Sequence, residues 1–378
     1  MKPVGAVTSG PDCWYGAPMS ASSRRLVLCG LVFAVMGCPK KEEAPAEKPA
    51  AAKPSASAPA APKIDLESAK VALPETQGTP EKKTADFGGG EVTIEVCALD
   101  TALPPMADPT WERALPSMTA APDGSLYVLD PKFNVRHYVN RAHKGCELVL
   151  DRTFGKDGLL DAGLSDNYQL SSDAKGTIYA GSGSIGMKGK KIVDGKVDKF
   201  CDGTLRMQPS STLVLLGGNQ LLDDLDKCRG KSVSFHEGFD PKAPAWASPR
   251  PVGLYGDEIV VRGMDLEKTK EVRKIGLHGA DGKQRIKLGK AEGDESMWSP
   301  DAATTCAGDL CVFEMTRGSP SILRWKKDGT FVKKLKLDVV DFSGRSLAAA
   351  GDTLWVAGGG AAKAPGIVGV ILRVRGVK

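Results

Sequence analysis

From residue 89 onward the chain repeats one short pattern, and that repeat limits the possible fold more than any other feature. A turn containing Gly, Asp or Ser precedes an aliphatic residue and one or two β-formers. The copies are Pro122-Asp123-Gly124-Ser125-Leu126-Tyr127-Val128, Ala174-Lys175-Gly176-Thr177-Ile178-Tyr179-Ala180, Pro209-Ser210-Ser211-Thr212-Leu213-Val214-Leu215, Tyr255-Gly256-Asp257-Glu258-Ile259-Val260-Val261, Cys306-Ala307-Gly308-Asp309-Leu310-Cys311-Val312 and Ala350-Gly351-Asp352-Thr353-Leu354-Trp355-Val356. Their aliphatic anchors fall at 126, 178, 213, 259, 310 and 354, spaced by 52, 35, 46, 51 and 44 residues. A period of this size, with a tight turn ahead of a buried strand, is what a four-stranded propeller blade requires. The turn joins the innermost strand to the second, and Gly, Asp and Ser supply its backbone angles. The second strand is covered by neighbouring blades on both faces, so it reads as a continuous apolar run. No useful helical period appears after residue 89. The fold class expected is all-β, a six-bladed β-propeller, with seven blades or a pair of β-sandwiches as alternatives.

The first repeat is the clearest. Residues 117–121 are predicted as the inner strand, 125–129 as the second, 134–140 as the third and 146–154 as the outer one. Pro122-Asp123-Gly124-Ser125-Leu126-Tyr127-Val128-Leu129-Asp130, followed by Asn134-Val135-Arg136 and later Phe154-Gly155, resembles an NHL-type repeat. The fifth copy keeps part of it in Ile322-Leu323-Arg324-Trp325 and Asp328-Gly329-Thr330, and the other copies are degenerate. The resemblance implies a propeller and no particular activity. The ends of the chain fit the same fold. One further strand, residues 368–374, follows the last copy, so that blade lacks its outermost strand. A lone alternating strand, residues 91–97, lies upstream of the first blade. Pairing the two would close the ring and remove exposed sheet edges. The spacing of 35 suggests an incomplete or irregular second blade.

Nine cysteines are present; Cys13, Cys29 and Cys38 lie early, and six lie in the repeat region. An even number in an oxidising compartment reads as disulfides. Cys306 and Cys311 flank one tight turn and are expected to pair. Cys97–Cys146 and Cys201–Cys228 are the favoured pairings of the other four, among three possible.

The early cysteine Cys38 carries a different message. Arg24-Arg25 precede an apolar run of 11 residues, Leu26 to Met36, which ends in Val35-Met36-Gly37-Cys38. Eleven is well short of the about 20 residues needed to span a membrane, but it suits the core of a cleavable signal. The pattern resembles a bacterial lipoprotein signal and its lipobox. That resemblance implies a signal in 1–37, lipid on Cys38, and membrane attachment through that lipid. Residues 1–18 make a poor leader, and translation from Met19 is expected. Residues 38–88 turn to Ala, Pro, Lys, Glu and Ser, as in Ala44-Pro45-Ala46-Glu47-Lys48-Pro49-Ala50. Such a stretch has too little apolar surface to offset the entropy of ordering and reads as a disordered tether. Residues 89–378 form the predicted propeller domain.

Motifs for chemistry are weak. His137, His143, His236 and His278 show no metal-ligand spacing. His137 and His143 read as surface residues. Gly181-Ser182-Gly183-Ser184-Ile185-Gly186 has no following helix, so it reads as a strand connection. Asp223-Asp224-Leu225-Asp226 lacks the Gly turn and later Glu of a calcium loop and reads as a solvated turn. Lys188-Gly189-Lys190-Lys191, Lys326-Lys327 and Lys333-Lys334 suit solvated outer strands or an anionic surface. The net charge of +5 includes the signal's arginines and points to no nucleic acid. No catalytic residue, metal ligand or cofactor is assigned. The expected function is a lipid-anchored, monomeric, non-enzymatic binding or scaffold module of the bacterial envelope. The expected location is the outer membrane, facing periplasm or cell surface, and the ligand an envelope protein, peptide or glycan. The alternative is a hydrolase of the lactonase type with a metal in the channel. It needs Asp130, Asn219, Asp265 and Glu314 to converge on the axis.

Overall fold

The computed structural model describes residues 82–104, 117–141, 145–165, 168–183, 187–240, 248–267, 270–288, 300–314, 320–337, 342–361 and 367–378. The signal segment, Cys38, the tether up to residue 81 and His143 lie outside them. Every helix-or-strand element among the described residues is a β-strand.

The strands follow one another as antiparallel meanders. The first is Ser117–Ala120, Leu126–Leu129, Asn134–Asn140 and Glu147–Leu150. The second is Tyr168–Ser172, Ile178–Ser182, Gly189–Val193 and Lys196–Phe200. The third is Leu205–Arg206, Leu215–Leu216, Gln220–Asp224 and Arg229–Ser232. The fourth is Arg250–Tyr255, Glu258–Glu267, Lys270–His278 and Gln284–Lys287. The fifth is Pro300–Cys306, Asp309–Glu314, Ser321–Trp325 and Phe331–Lys336, joined to the fourth by one parallel bridge, Gly253 to Ala303. The last is Phe342–Ala350, Thr353–Ala361 and Ile367–Arg375. Its edge is continued by Glu91–Val96, with Ile94 opposite Val374 and Glu95 opposite Arg373.

The repeated motif accounts for the packing. Its strands are apolar on both faces: Leu310, Cys311, Val312 and Phe313 are all fully buried, as are Ile259, Val260 and Val261. The apolar clusters form between consecutive meanders. Leu129, Val135 and Phe154 meet Leu170, Ile178 and Ala180, and Leu215 and Leu221 meet Leu254, Ile259 and Val261. One cluster joins the last meander to the first, through Trp355, Ala357 and Ile371 against Met118, Leu126 and Val128. Sheets stacked face to face in chain order around their first strands make a propeller-like, all-β arrangement.

Buried charge fixes the joint between the two ends. Glu95 and Arg373 are 5% and 3% exposed, and Arg373 Nε donates to Glu95 Oε2 at 3.0 Å. Arg324 donates to Asp309 Oδ2 at 2.7 Å, to the Phe87 carbonyl at 3.0 Å and to the Lys378 carbonyl. Among the described residues there are three disulfides, Cys97–Cys146, Cys201–Cys228 and Cys306–Cys311. Cys306 and Cys311 sit diagonally across their hairpin, because the register sets Cys306 opposite Asp309 and Thr304 opposite Cys311.

Three expectations are corrected. The tether does not run to residue 88: Lys82–Asp86 pairs with Glu91–Val96, and Phe87 is fully buried between Val92, Leu335 and their neighbours. The upstream strand is therefore one arm of a hairpin. The second meander is complete despite its short spacing, because Val193 and Lys196 are joined by a two-residue turn with Asp194 and Gly195 at positive φ. The irregular meander is the third, whose first two strands are two residues long and whose second strand begins at Leu215, beyond the expected anchor Leu213.

Candidate functional site

The first strands of the meanders diverge too far for continuous ladders, and hydroxyls bridge them instead. Ser346 Oγ accepts the Met118 N–H and Ser117 Oγ accepts the Leu170 N–H, each at 3.1 Å. Ser172 Oγ donates to the Ala120 carbonyl at 2.7 Å, and Ser171 Oγ to the Leu205 carbonyl at 3.4 Å. Thr304 Oγ1 donates to Gln208 Oε1 at 3.0 Å. Small polar side chains at these positions satisfy backbone groups that a sheet would otherwise pair.

Two adjoining cavities lie between these strands. The inner one, about 110 Å³, is lined by Ser117, Gln169, Arg206, Gly253, Ala303 and Ser346 among others, so every meander contributes to its wall. The wider one, about 460 Å³, lies at the level of the motif turns and is lined by Pro122, Ser210, Thr304, Gly308, Gly351 and their neighbours. Met118, Leu170, Met207 and Leu347 line both and form the neck between them. Among the described residues, the lining of the wider cavity includes no ionisable group. That of the inner one includes a single such group among them, Arg206.

Arg206 Nη1 donates to the Gly217 carbonyl at 3.3 Å. Desolvation and, next, the positive charge of Arg262 push its pKa down to about 10, so the guanidinium remains charged at neutral pH. Gln208 lines both cavities; its Nε2 is buried with no partner among the described residues. Turning the amide round would leave Oε1 in the same position. A pattern in the sequence marks these two residues: Leu205-Arg206-Met207-Gln208 alternates on the segment that supplies the inner strand, which sets 206 and 208 on one side.

The carboxylates named for a metal-bearing channel do not meet there. Asp130 is 2% exposed and is consumed by its own sheet: Oδ1 accepts the Lys132 and Asn134 N–H groups at 2.9 and 3.0 Å, and Oδ2 pairs with Arg136 Nε at 2.7 Å. Glu314 is fully buried at the end of the second strand of its meander and pairs with Lys334 Nζ at 3.1 Å, two strands away on the outer strand. Asn219 is exposed in a turn, and the side chain of Asp265 lies outside the described residues. None of Asp130, Asn219 and Glu314 lines either cavity. No group of three or more metal-ligating side chains converges among the described residues.

The histidines also differ from expectation. His137 is not on the surface: it is 6% exposed, stacks on Tyr127 at 4.4 Å and meets Asp151 Oδ2 through Nδ1 at 3.0 Å. The partner strand puts Tyr127 directly opposite His137, so the aromatic pair buries a ring that alternation alone would have left in solvent. His278 is fully buried, stacked on Phe239, with Nε2 on the Glu237 carbonyl at 3.0 Å. His236 is exposed. In the acidic turn, Asp223 pairs with Arg229 at 3.2 Å and Asp224 accepts the Lys227 N–H at 3.1 Å. Among the lysines, Lys188 pairs with Asp202 and Lys333 with Asp86.

No family model matches the chain, and neither does any curated relative. Among solved structures, it is similar to the PQQ-bound aldose sugar dehydrogenase of Streptomyces coelicolor (12% identity, 75% of this chain and 98% of that one, TM-score 0.39). It is similar to a Trichoderma reesei carbohydrate-active enzyme of family AA12 (14% identity, 79% and 99%, TM-score 0.45). It is also similar to a family 117 glycoside hydrolase of Zobellia galactanivorans (10% identity, 75% and 90%, TM-score 0.31). At these TM-scores the likenesses add nothing to the architecture read from the strand pairing.

Proposed function

We propose that the chain is a bacterial envelope lipoprotein that carries lipid on Cys38 and holds a six-bladed, degenerate NHL-type propeller, closed by the N-terminal strand, as a non-enzymatic binding module. The antiparallel pairing of Glu91–Val96 with Ile367–Arg375 supports the closure, and the contribution of all the meanders to one axial cavity supports the blade count. The observation that carries the binding role is the makeup of that cavity. Among the described residues its wall offers one cation, Arg206, and neutral hydrogen-bonding groups. Such a wall recognises a ligand through hydrogen bonds and charge.

Two measurements test the reading. Labelling cells with an alkyne fatty acid should mark the protein, and Cys38→Ser should abolish the label and release the protein from membranes. Native mass spectrometry of the full-length protein, extracted from envelopes in mild detergent, should show a retained small molecule that is recovered chemically unchanged. Conversion of that molecule by the purified protein would establish an enzyme instead.

A further inference from the structure

Three arginines in this domain are buried, and the half-buried Arg206 differs from them. Arg136, Arg324 and Arg373 are 7%, 5% and 3% exposed, and each faces a carboxylate: Asp130, Asp309 and Glu95. Arg206 lines the inner cavity with a carbonyl as its hydrogen-bond partner and no carboxylate among the described residues paired with it. A desolvated guanidinium without a counter-charge is costly, and its pKa is already depressed. Arg262 adds a second positive charge, while Ser117, Gln169, Ser171, Gln208 and Ser346 are neutral. The space is sufficient: about 110 Å³ is several times what one water needs. The adjoining wider cavity, with its alanines, glycines and hydroxyls, suits an uncharged body. The neck of Met118, Leu170, Met207 and Leu347 has two unbranched thioethers that adapt to what passes between them.

We infer that the inner cavity is an oxyanion site: Arg206, aided by Gln208, holds a carboxylate, sulfate or phosphate group whose uncharged remainder occupies the wider cavity. This inference rests on the ligand-binding reading of the channel and names the chemistry of its ligand. A guanidinium meets two oxygens of such a group at once, which an ammonium does not.

The test is calorimetric titration of the full-length protein at constant ionic strength with inorganic sulfate, inorganic phosphate, glucuronate and, as the uncharged analogue, glucose. At least one oxyanion should bind one-to-one, about tenfold or more tighter than glucose, as hydrogen bonds to a charged group imply. The identity of that probe separates sulfate, phosphate and carboxylate as sources. Arg206→Gln should lose at least about tenfold of the affinity, Arg206→Lys should fall between, and the exposed control Arg229→Gln should match the wild type. The lysine variant keeps a positive charge and the stem, so it remains informative if the glutamine variant misfolds. Absence of saturable oxyanion binding by the wild type, or equal binding by Arg206→Gln, overturns the inference. A retained neutral molecule that survives Arg206→Gln would overturn it while leaving the binding role intact. A wild-type protein that carries no native ligand and binds none of the probes removes both.

Discussion

The first and third meanders carry the same repeat and use it in opposite ways. In the first, strands of four to seven residues pair through ladders of four, four and three residue pairs, and the buried charge is closed within the sheet. Asp130 takes two turn amides and the Arg136 side chain, and Arg136 Nη1 also reaches the Ala102 carbonyl at 3.2 Å. In the third, the two inner strands are two residues each, and the sheet includes Arg206, which pairs with no carboxylate among the described residues. A region that satisfies every local rule is built for stability. A region that breaks a rule at the wall of a cavity is where function is expected.

Removing one member of each arrangement should give results of different size. Asp130→Ala leaves Arg136 buried without its counter-charge and frees two turn amides; the expected cost is about 3–5 kcal/mol, measured by urea unfolding. Arg206→Met removes a cation whose hydrogen bond is to the Gly217 carbonyl and not to a carboxylate among the described residues, so stability should stay within about 1 kcal/mol of wild type or rise. Equal destabilisation by the two substitutions would mean that Arg206 is a structural residue, and the contrast would collapse.

How far the sequence predicts these regions follows from the same difference. Turn and strand chemistry is local, so three strands of the first repeat could be read to within a residue: 134–140 is the observed third strand, and the expected inner strand ends one residue late, whereas the outer strand expected over 146–154 is only Glu147–Leu150. The Cys306–Cys311 pairing was accessible because both residues flank one tight turn, whereas Cys97–Cys146 and Cys201–Cys228 were favoured among three possibilities without a local signal. Phe87 could not be recognised as core. Its local context is Gly-rich and polar, and its burial depends on Leu335 far away in the chain as well as on Val92 across the hairpin. The search for carboxylates at strand ends failed for a physical reason. Such groups lie where turn amides and an i+6 arginine satisfy them, as at Asp130, and need no partner on the axis. Arg206 and Gln208 lie in the least regular repeat, where the alternation of four residues was the only signal.

The second way to sharpen the comparison is to cut the staple of the weaker region. Cys201 and Cys228 are 27 residues apart, and Cys228 adopts a left-handed φ of 52° that a non-glycine residue takes only under constraint. Replacing both by Ser should cost about 3.5 kcal/mol on the chain-entropy model, against about 2 kcal/mol for the Cys306–Cys311 pair, which closes a far shorter loop. Hydrogen exchange should show where the loss falls. Amides of Gln220–Asp224 and Arg229–Ser232 should lose protection, while those of Asn134–Asn140 keep theirs. Uniform loss across both meanders would show that the third is as firmly built as the first.

The smallest expected effect probes how closely the first meander's carboxylates are matched. Asp151 follows its outer strand. Burial raises the Asp151 pKa, but hydrogen bonds from Thr153 Oγ1 at 2.6 Å, from the Thr153 N–H at 2.9 Å and from His137 outweigh it, and the net pKa is lowered. A carboxylate with a lowered folded pKa contributes stability that is fully present above its unfolded pKa of about 3.9 and is lost as pH falls through the folded value. Thr153→Val removes the hydroxyl donor and keeps the shape. The carboxyl ¹³C titration of Asp151 should move to higher pH, and the acid-induced loss of stability should begin earlier in an acid titration. The cost at neutral pH should stay below about 1 kcal/mol, because Thr153 is exposed and solvent screens the bond. If the Asp151 titration does not move, the hydroxyl contributes nothing to the carboxylate, and the lowered value must come from the backbone amide and His137 alone.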